Sequence, residues 1–110
     1  MKYIFIVILF FSTSNLIWGQ ELVESNVALE ILEVQQSKFI SELNTTNNIT
    51  AFDKDIKEIY FNAMPIYLKE GIDVAASLAV CLEKALENFP DNQEDVVVHH
   101  DAITLWFIKD

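Results

Sequence analysis

The chain has 110 residues, of which 52% are hydrophobic, and its 17 acidic residues outnumber 7 basic ones, all lysine, for a net charge of −10. This length supports one small domain, and the apolar content, with only two glycines and two prolines, excludes collagen-like and disordered chains. The acidity argues against binding to nucleic acid, which needs basic residues to replace phosphate counterions, and against a cationic membrane-disrupting peptide.

The N-terminal segment has the layout of a secretory signal peptide. Lys2 precedes nine apolar residues, 3–11, and the polar residues 12–15 follow. A membrane anchor is the alternative, but nine helical residues span only about 14 Å of a hydrocarbon layer about 30 Å thick. We therefore expect an exported chain without stable membrane anchoring, extracellular or, in a bacterium, periplasmic.

Cleavage of this signal peptide is predicted after Gly19. A small residue suits the last position of the signal, although Ile17 is bulky for its place, and a cut after Ser14 is the alternative. The preferred cut gives a signal peptide of residues 1–19 and a single small helical domain of residues 20–110.

The residues that follow are typical of a long helix over 21–43, a range without glycine or proline. A two-stranded coiled coil is the alternative, but Ser25 and Gln36 would fall in its seam, so a packed helix is preferred. We expect the helix to stop at Asn44, where polar side chains compete for backbone hydrogen bonds. The residues predicted to share one buried face are Leu22, Leu29, Leu32, Phe39 and Leu43.

The second predicted helix begins at Thr50, an N-cap that is followed three residues later by Asp53. Pro65 lies inside the helical pattern and lacks a backbone donor, so we expect a kink or a break there. The inward residues step by four, three, four and four, and they are Phe52, Ile56, Ile59, Ala63 and Tyr67.

A third predicted helix lies between Gly71, a suitable helix end, and Pro90, which terminates it. Asp73 is the predicted N-cap, and residues 91–95 read as a solvated acidic loop. The inward residues of this helix are predicted to be Val74, Leu78, Cys81, Ala85 and Phe89.

The last segment, residues 96–108, holds six β-branched residues, which favours a strand on propensity. No other predicted strand exists to pair with it, so we expect a fourth helix instead, with a strand as the alternative. Asp95 would cap that helix, and Val98, Ala102 and Leu105 would face inward. The predicted fold is all-α, a small bundle of three to four short amphipathic helices.

The sequence lacks the motifs of the common enzyme classes. It has no Gly-rich phosphate loop, no Gly-x-Ser-x-Gly, no His-Glu-x-x-His and no Cys-x-x-Cys. His99, His100 and Asp101 are adjacent and therefore diverge on either a helix or a strand, which argues against a shared metal ion. We predict no catalytic, cofactor-binding or metal site, and no enzyme.

Two kinds of covalent modification are suggested. Asn44 and Asn48 each begin an Asn-x-Thr pattern in a predicted loop, and they are acceptors for N-glycosylation on a eukaryotic secretory route. Cys81 is the single cysteine, so it is either a buried thiol in the stripe of its helix or the site of an intermolecular disulfide.

The C-terminal apolar run is the predicted interaction patch, because four consecutive apolar residues cannot all face one core. The predicted function is that of a secreted, acidic, non-enzymatic protein acting through protein–protein interaction or self-association. The alternative is an extracellular carrier that holds a small hydrophobic ligand in an aromatic-lined helical core. The patch consists of Leu105, Trp106, Phe107 and Ile108.

Overall fold

The computed structural model describes residues 21–45 and 49–109, and this part of the chain is a bundle of four α-helices. They are α1 (Ser25–Thr45), α2 (Ala51–Lys69), α3 (Val74–Asn88) and α4 (Gln93–Thr104), followed by a 3₁₀ turn, Leu105–Phe107. The predicted all-α bundle is confirmed. The predicted signal peptide, its cleavage site and the sequon asparagine Asn48 lie outside the described residues.

The helix starts that depend on local capping are confirmed. The Thr50 side chain accepts a hydrogen bond from the Asp53 backbone N–H at 3.1 Å, and the Asp73 side chain accepts one from the Ala76 N–H at 2.8 Å. Gly71 follows the end of α2 with φ of 94°, a left-handed conformation that glycine adopts without strain. Both capping side chains bond to a backbone N–H only three residues further along the chain.

Of the predicted kink or break at Pro65, the break is wrong, because α2 continues through it to Lys69. Proline in a helix interior costs about 3 kcal/mol through a lost hydrogen bond and a steric clash. The residues on either side are well packed, since Phe61, Met64 and Leu68 are all buried in the core. Burial of these side chains on one continuous helical face offsets the cost and keeps the helix intact.

The predicted fourth helix is confirmed and its strand alternative over 96–108 is wrong, but α4 is turned differently from the prediction. It begins at Gln93, before the predicted cap Asp95, and the three residues predicted to face inward lie on the surface. Val98 is 64% exposed and Leu105 58% exposed, whereas His100 is buried at 1%. The residues that face the core instead are Val96, His100, Ile103, Thr104 and Phe107.

The two ends of the described chain pair with each other. The Val23 N–H donates to the Phe107 carbonyl at 2.9 Å, and the Lys109 N–H donates to the Glu21 carbonyl at 2.8 Å. These bonds accompany a single antiparallel bridge between Leu22 and Ile108. The bridge explains why the chain leaves helical geometry after the 3₁₀ turn, and it is the only β-type pairing within residues 21–45 and 49–109.

The core is assembled from all four helices. Tyr60, Phe107, Ile56 and Met64 are among its largest fully buried side chains. Phe39 of α1 packs on Phe61 of α2, with ring centroids 5.5 Å apart. Within the described part of the chain, no helix combines the length and the apolar character needed to cross a membrane.

Candidate functional site

An exposed apolar stripe runs along the outer face of α4. Val98, Ala102 and Leu105 follow one another at spacings of four and three residues, so they lie on one face of the helix. All three are exposed, and we call this set the α4 stripe. Helix α1 also exposes large apolar residues, Val27, Val34 and Ile40, at 38%, 56% and 51%.

A surface groove of about 310 Å³ lies beside the α4 stripe, between α2 and α4. Asp53 and Lys57 line it from α2, and Trp106 closes its end. The side chains that α4 contributes to the lining are Val98, His99, Ala102 and Ile103. The groove therefore has one charged wall and one mainly apolar wall.

The charged wall is organised around Asp53. Its carboxylate lies 3.4 Å from the Lys57 Nζ and 3.3 Å from the His99 Nε2. The other ring nitrogen of His99, Nδ1, donates to the Asp95 carbonyl at 2.8 Å, which follows because a carbonyl oxygen only accepts. The Phe52 ring meets the His99 ring edge-on at a centroid distance of 5.2 Å. His99 is thus held on three sides and borders the groove in one orientation.

Trp106 is anchored by stacking at the end of the groove. Its ring lies nearly parallel to that of Phe61, with an interplanar angle of 16° and centroids 5.8 Å apart. It also borders a smaller depression of about 30 Å³ that includes Lys38, Phe39 and Lys57. In that depression the Lys57 Nζ lies 5.6 Å from the centre of the Phe39 ring, a cation–π contact.

A buried polar cluster joins α2 to α4 inside the bundle. The Tyr60 hydroxyl lies 2.6 Å from the His100 Nδ1, and the His100 Nε2 lies 3.4 Å from the Thr104 Oγ1. Burial lowers the pKa of His100 to about 4 and raises the pKa of Tyr60 well above its ordinary value, with smaller contributions from Cys81 and Asp101. A neutral Tyr60 therefore donates to a neutral His100, which leaves the His100 proton on Nε2.

The four residues of the predicted C-terminal patch differ in their exposure to solvent. Leu105 is exposed, Trp106 and Ile108 are half-buried, and Phe107 is fully buried at 0%. Leu105 belongs to the α4 stripe, whose other members were expected inside the bundle. The sequence signal for the stripe is the spacing of Val98, Ala102 and Leu105 itself, which was recognised but assigned to the wrong face.

The two predicted modification sites lie in different environments. Asn44 is exposed, but it belongs to the last turn of α1 rather than to a loop, and its sequon neighbour Thr45 donates a hydrogen bond to the Ser41 carbonyl at 2.8 Å. Cys81 is a free thiol with 0% exposure, and burial raises its pKa to about 12, a shift that the nearby Lys84 opposes. A disulfide from Cys81 to another chain would require α3 to move away from the core.

Comparison with known proteins assigns this chain to no family. The chain matches no protein-family profile, no curated protein and no solved structure. Among residues 21–45 and 49–109, no group of three or more His, Cys, Asp or Glu side chains is arranged to hold a metal ion. The described residues form a small helical bundle in which Val98, Ala102 and Leu105 are exposed along α4.

Proposed function

We propose that this chain is a secreted, non-enzymatic binding protein that acts through protein–protein interaction at the α4 stripe. The observation that carries the proposal is the exposure of Val98 and Leu105, at 64% and 58%, on either side of Ala102. Covering apolar surface is worth about 25 cal/mol per Å². A helix with apolar residues on its outer face as well as its inner face gains stability when a second surface covers the outer one.

The environment of the polar side chains supports a binding role rather than a catalytic one. His100 is buried and bonded to Tyr60, so its ring has no route to a substrate in solution. His99 and Lys57 share the carboxylate of Asp53 on the groove wall. A nucleophile poised against a general base, the usual mark of covalent catalysis, is not among these contacts.

Secretion is proposed from the N-terminal segment, 1–19. Its positive start, short apolar run and polar end favour export and cleavage after Gly19. The test is N-terminal sequencing and intact mass of protein recovered from the medium of cells that express the full chain. A product that begins at Gln20 supports the proposal, whereas protein that is retained in cells with Met1 attached contradicts it.

The binding role is tested by photo-crosslinking from the stripe. A benzophenone-bearing residue replaces Val98 in one variant and Ile66 in the control variant, because Ile66 is similarly exposed, at 57%, on α2. Irradiation of the protein in the medium of the producing cells should give an adduct of defined mass from position 98 and none from position 66. The proposal fails if position 98 gives no adduct, or if both positions give the same products.

A carrier of a small apolar ligand is the second candidate function. The observation that favours it is the groove of about 310 Å³, whose lining includes Ile103 and Trp106. Trp106 is the only tryptophan outside the proposed signal peptide, so its fluorescence reports on the groove and on the smaller depression beside it. Saturable quenching by anilinonaphthalene sulfonate, together with a retained small-molecule mass in native mass spectrometry, would favour the carrier over the binding protein.

A further inference from the structure

A buried histidine joins α4 to α2 through a hydrogen bond that requires a neutral ring. The Tyr60 hydroxyl donates to the His100 Nδ1 at 2.6 Å, and the ring proton lies on Nε2, which faces the Thr104 Oγ1 at 3.4 Å. A second proton can bind only at Nδ1, the atom that already accepts from Tyr60. Two donors would then face each other, and the hydroxyl would have to turn its hydrogen out of the bond. Protonation of His100 therefore breaks this link between α2 and α4 in its present form.

The other titratable groups of this cluster leave a protonated His100 without a strong anionic partner. Tyr60 comes from α2 and Cys81 from α3, and burial raises the pKa of both, that of Cys81 to about 12, so both are neutral in acid. Asp101 of α4 also acts on Tyr60, but burial raises the pKa of Asp101, so it too binds a proton as the pH falls. An unpaired buried charge is costly, so a protonated His100 is driven toward water.

We infer that acid releases α4 from the rest of the bundle, with protonation of His100 as the trigger. His100 is 1% exposed, so its ring reaches water only when α4 moves away from α2. The exposed residues 90–92 connect α3 to α4, which allows α4 to swing outward without disturbing the end of α3. This inference is independent of the proposed function, because it does not depend on what covers the α4 stripe.

The rest of the bundle keeps a core of its own when α4 moves. Three buried residues lie on α1, five on α2 and seven on α3. The packing of Phe39 on Phe61 joins α1 to α2 without a residue of α4. The caps at Thr50 and Asp73 bond within their own helices and contain no group from α4. We therefore expect the release to be local, with α1, α2 and α3 still packed together.

A contact between α2 and α4 at the groove responds to acid in the opposite sense. The His99 Nε2 lies 3.3 Å from the Asp53 carboxylate, which also lies 3.4 Å from the Lys57 Nζ. A charge on His99 strengthens its attraction to Asp53, but 29% of the His99 side chain is exposed, and exposed pairs change an equilibrium constant by at most about fivefold. This contact therefore opposes the release only weakly.

The response of His100 is much larger. Burial lowers the pKa of His100 from 6.5 to about 4, so the released form, in which the ring is in water, binds more protons between these values. Each pKa unit is a factor of ten in the equilibrium, which makes release about a hundredfold more favourable at pH 4 than at pH 7. Release also uncovers the buried inner residues Val96, Ile103 and Phe107. In acid the protein should therefore expose both apolar faces of α4, whereas at neutral pH it exposes only the α4 stripe.

Amide hydrogen exchange followed residue by residue by NMR tests the release, on protein purified from cells that express the full chain. Between pH 7 and pH 4, after correction for the intrinsic exchange rates, the opening constants of amides in α4 should rise about a hundredfold. Those of amides in α3 should rise by less than about fivefold. A common rise in both helices would mean that the whole bundle unfolds together, and it overturns the inference, as does a rise in α4 no larger than that in α3.

A pair of adjacent histidine variants identifies the trigger. In His100→Gln the amide oxygen can still accept from Tyr60 but does not titrate, so the rise in α4 should shrink to less than about fivefold. His99→Gln is the matched control, and the rise should stay within about fivefold of the wild-type value. An undiminished rise in His100→Gln, or an equal loss in both variants, contradicts the assignment to His100. If His100→Gln does not fold, the comparison of α4 with α3 in the wild-type chain still decides whether release occurs.

Discussion

Loss of the hydrogen bond between Tyr60 and His100 should lower the free energy of unfolding markedly, because both side chains are buried in the core. It joins α2 to α4 across 2.6 Å, and both side chains are essentially inaccessible to solvent, at 0% and 1% exposure. The substitution Tyr60→Phe removes the donor and keeps the aromatic ring that fills the core. The His100 Nδ1 is then a buried acceptor without its donor from α2.

The expected cost follows from the loss of that donor to a buried acceptor. Leaving a buried polar atom without its hydrogen bond costs about 1–3 kcal/mol, because the atom is still desolvated while the compensating bond is gone. In a domain of this size each kcal/mol lowers Tm by about 4–8 °C. We therefore expect the free energy of unfolding of Tyr60→Phe to fall by about 2 kcal/mol, the middle of that range.

Urea unfolding followed by circular dichroism measures this difference directly. Tyr67→Phe is the matched control, because Tyr67 lies on the same helix, is half-buried and makes no hydrogen bond through its hydroxyl to residues 21–45 or 49–109. The control should change stability by less than about 0.5 kcal/mol. The reasoning is refuted if Tyr60→Phe is as stable as the control, since the buried hydrogen bond would then contribute nothing measurable.

Three further predictions concern His100, Cys81 and Pro65. Because burial lowers the pKa of His100 from 6.5 to about 4, the unfolded chain binds more protons in that window, and stability should fall by about 3 kcal/mol as the pH drops through it. Urea midpoints at several pH values should reveal this loss, and His100→Gln should reduce it. Cys81 should react with a thiol reagent only in the unfolded chain, and rapid labelling of the folded protein would contradict its burial. Pro65→Ala should raise the urea midpoint and increase the free energy of unfolding by up to about 3 kcal/mol, because it restores a helical hydrogen bond; an unchanged midpoint would show that the backbone had already adapted.

The features that could be predicted from the sequence depend on short-range interactions. Thr50 and Asp73 cap their helices with hydrogen bonds to the backbone three residues on, and such bonds form independently of the rest of the fold. The stripe of α3 was also predictable, because Val74, Leu78, Cys81 and Ala85 are all buried in the structure and Phe89 is half-buried. In these helices the capping side chains and the single apolar face predict the same start and the same buried side.

The orientation of α4 could not be predicted because it depends on a residue from another helix. The predicted inward face holds Val98, Ala102 and Leu105, whereas the structure buries the face that includes His100. Burying a histidine is costly without a hydrogen-bond partner, so local information favours the apolar face. Tyr60, 40 residues earlier in the chain, supplies that partner and reverses the choice.

The same reversal creates the surface on which the functional proposal depends. Val96 and Val98 are two residues apart, about 200° around the helix, so burying the face of Val96 and His100 necessarily turns Val98, and with it Ala102, to the outside. A helix that is apolar on both faces is normally covered on both. The core covers only one face of α4 within the described chain, and the buried hydrogen bond prevents the helix from turning the other inward. We therefore expect a partner surface to cover the α4 stripe, and the crosslinking test at Val98 examines that expectation.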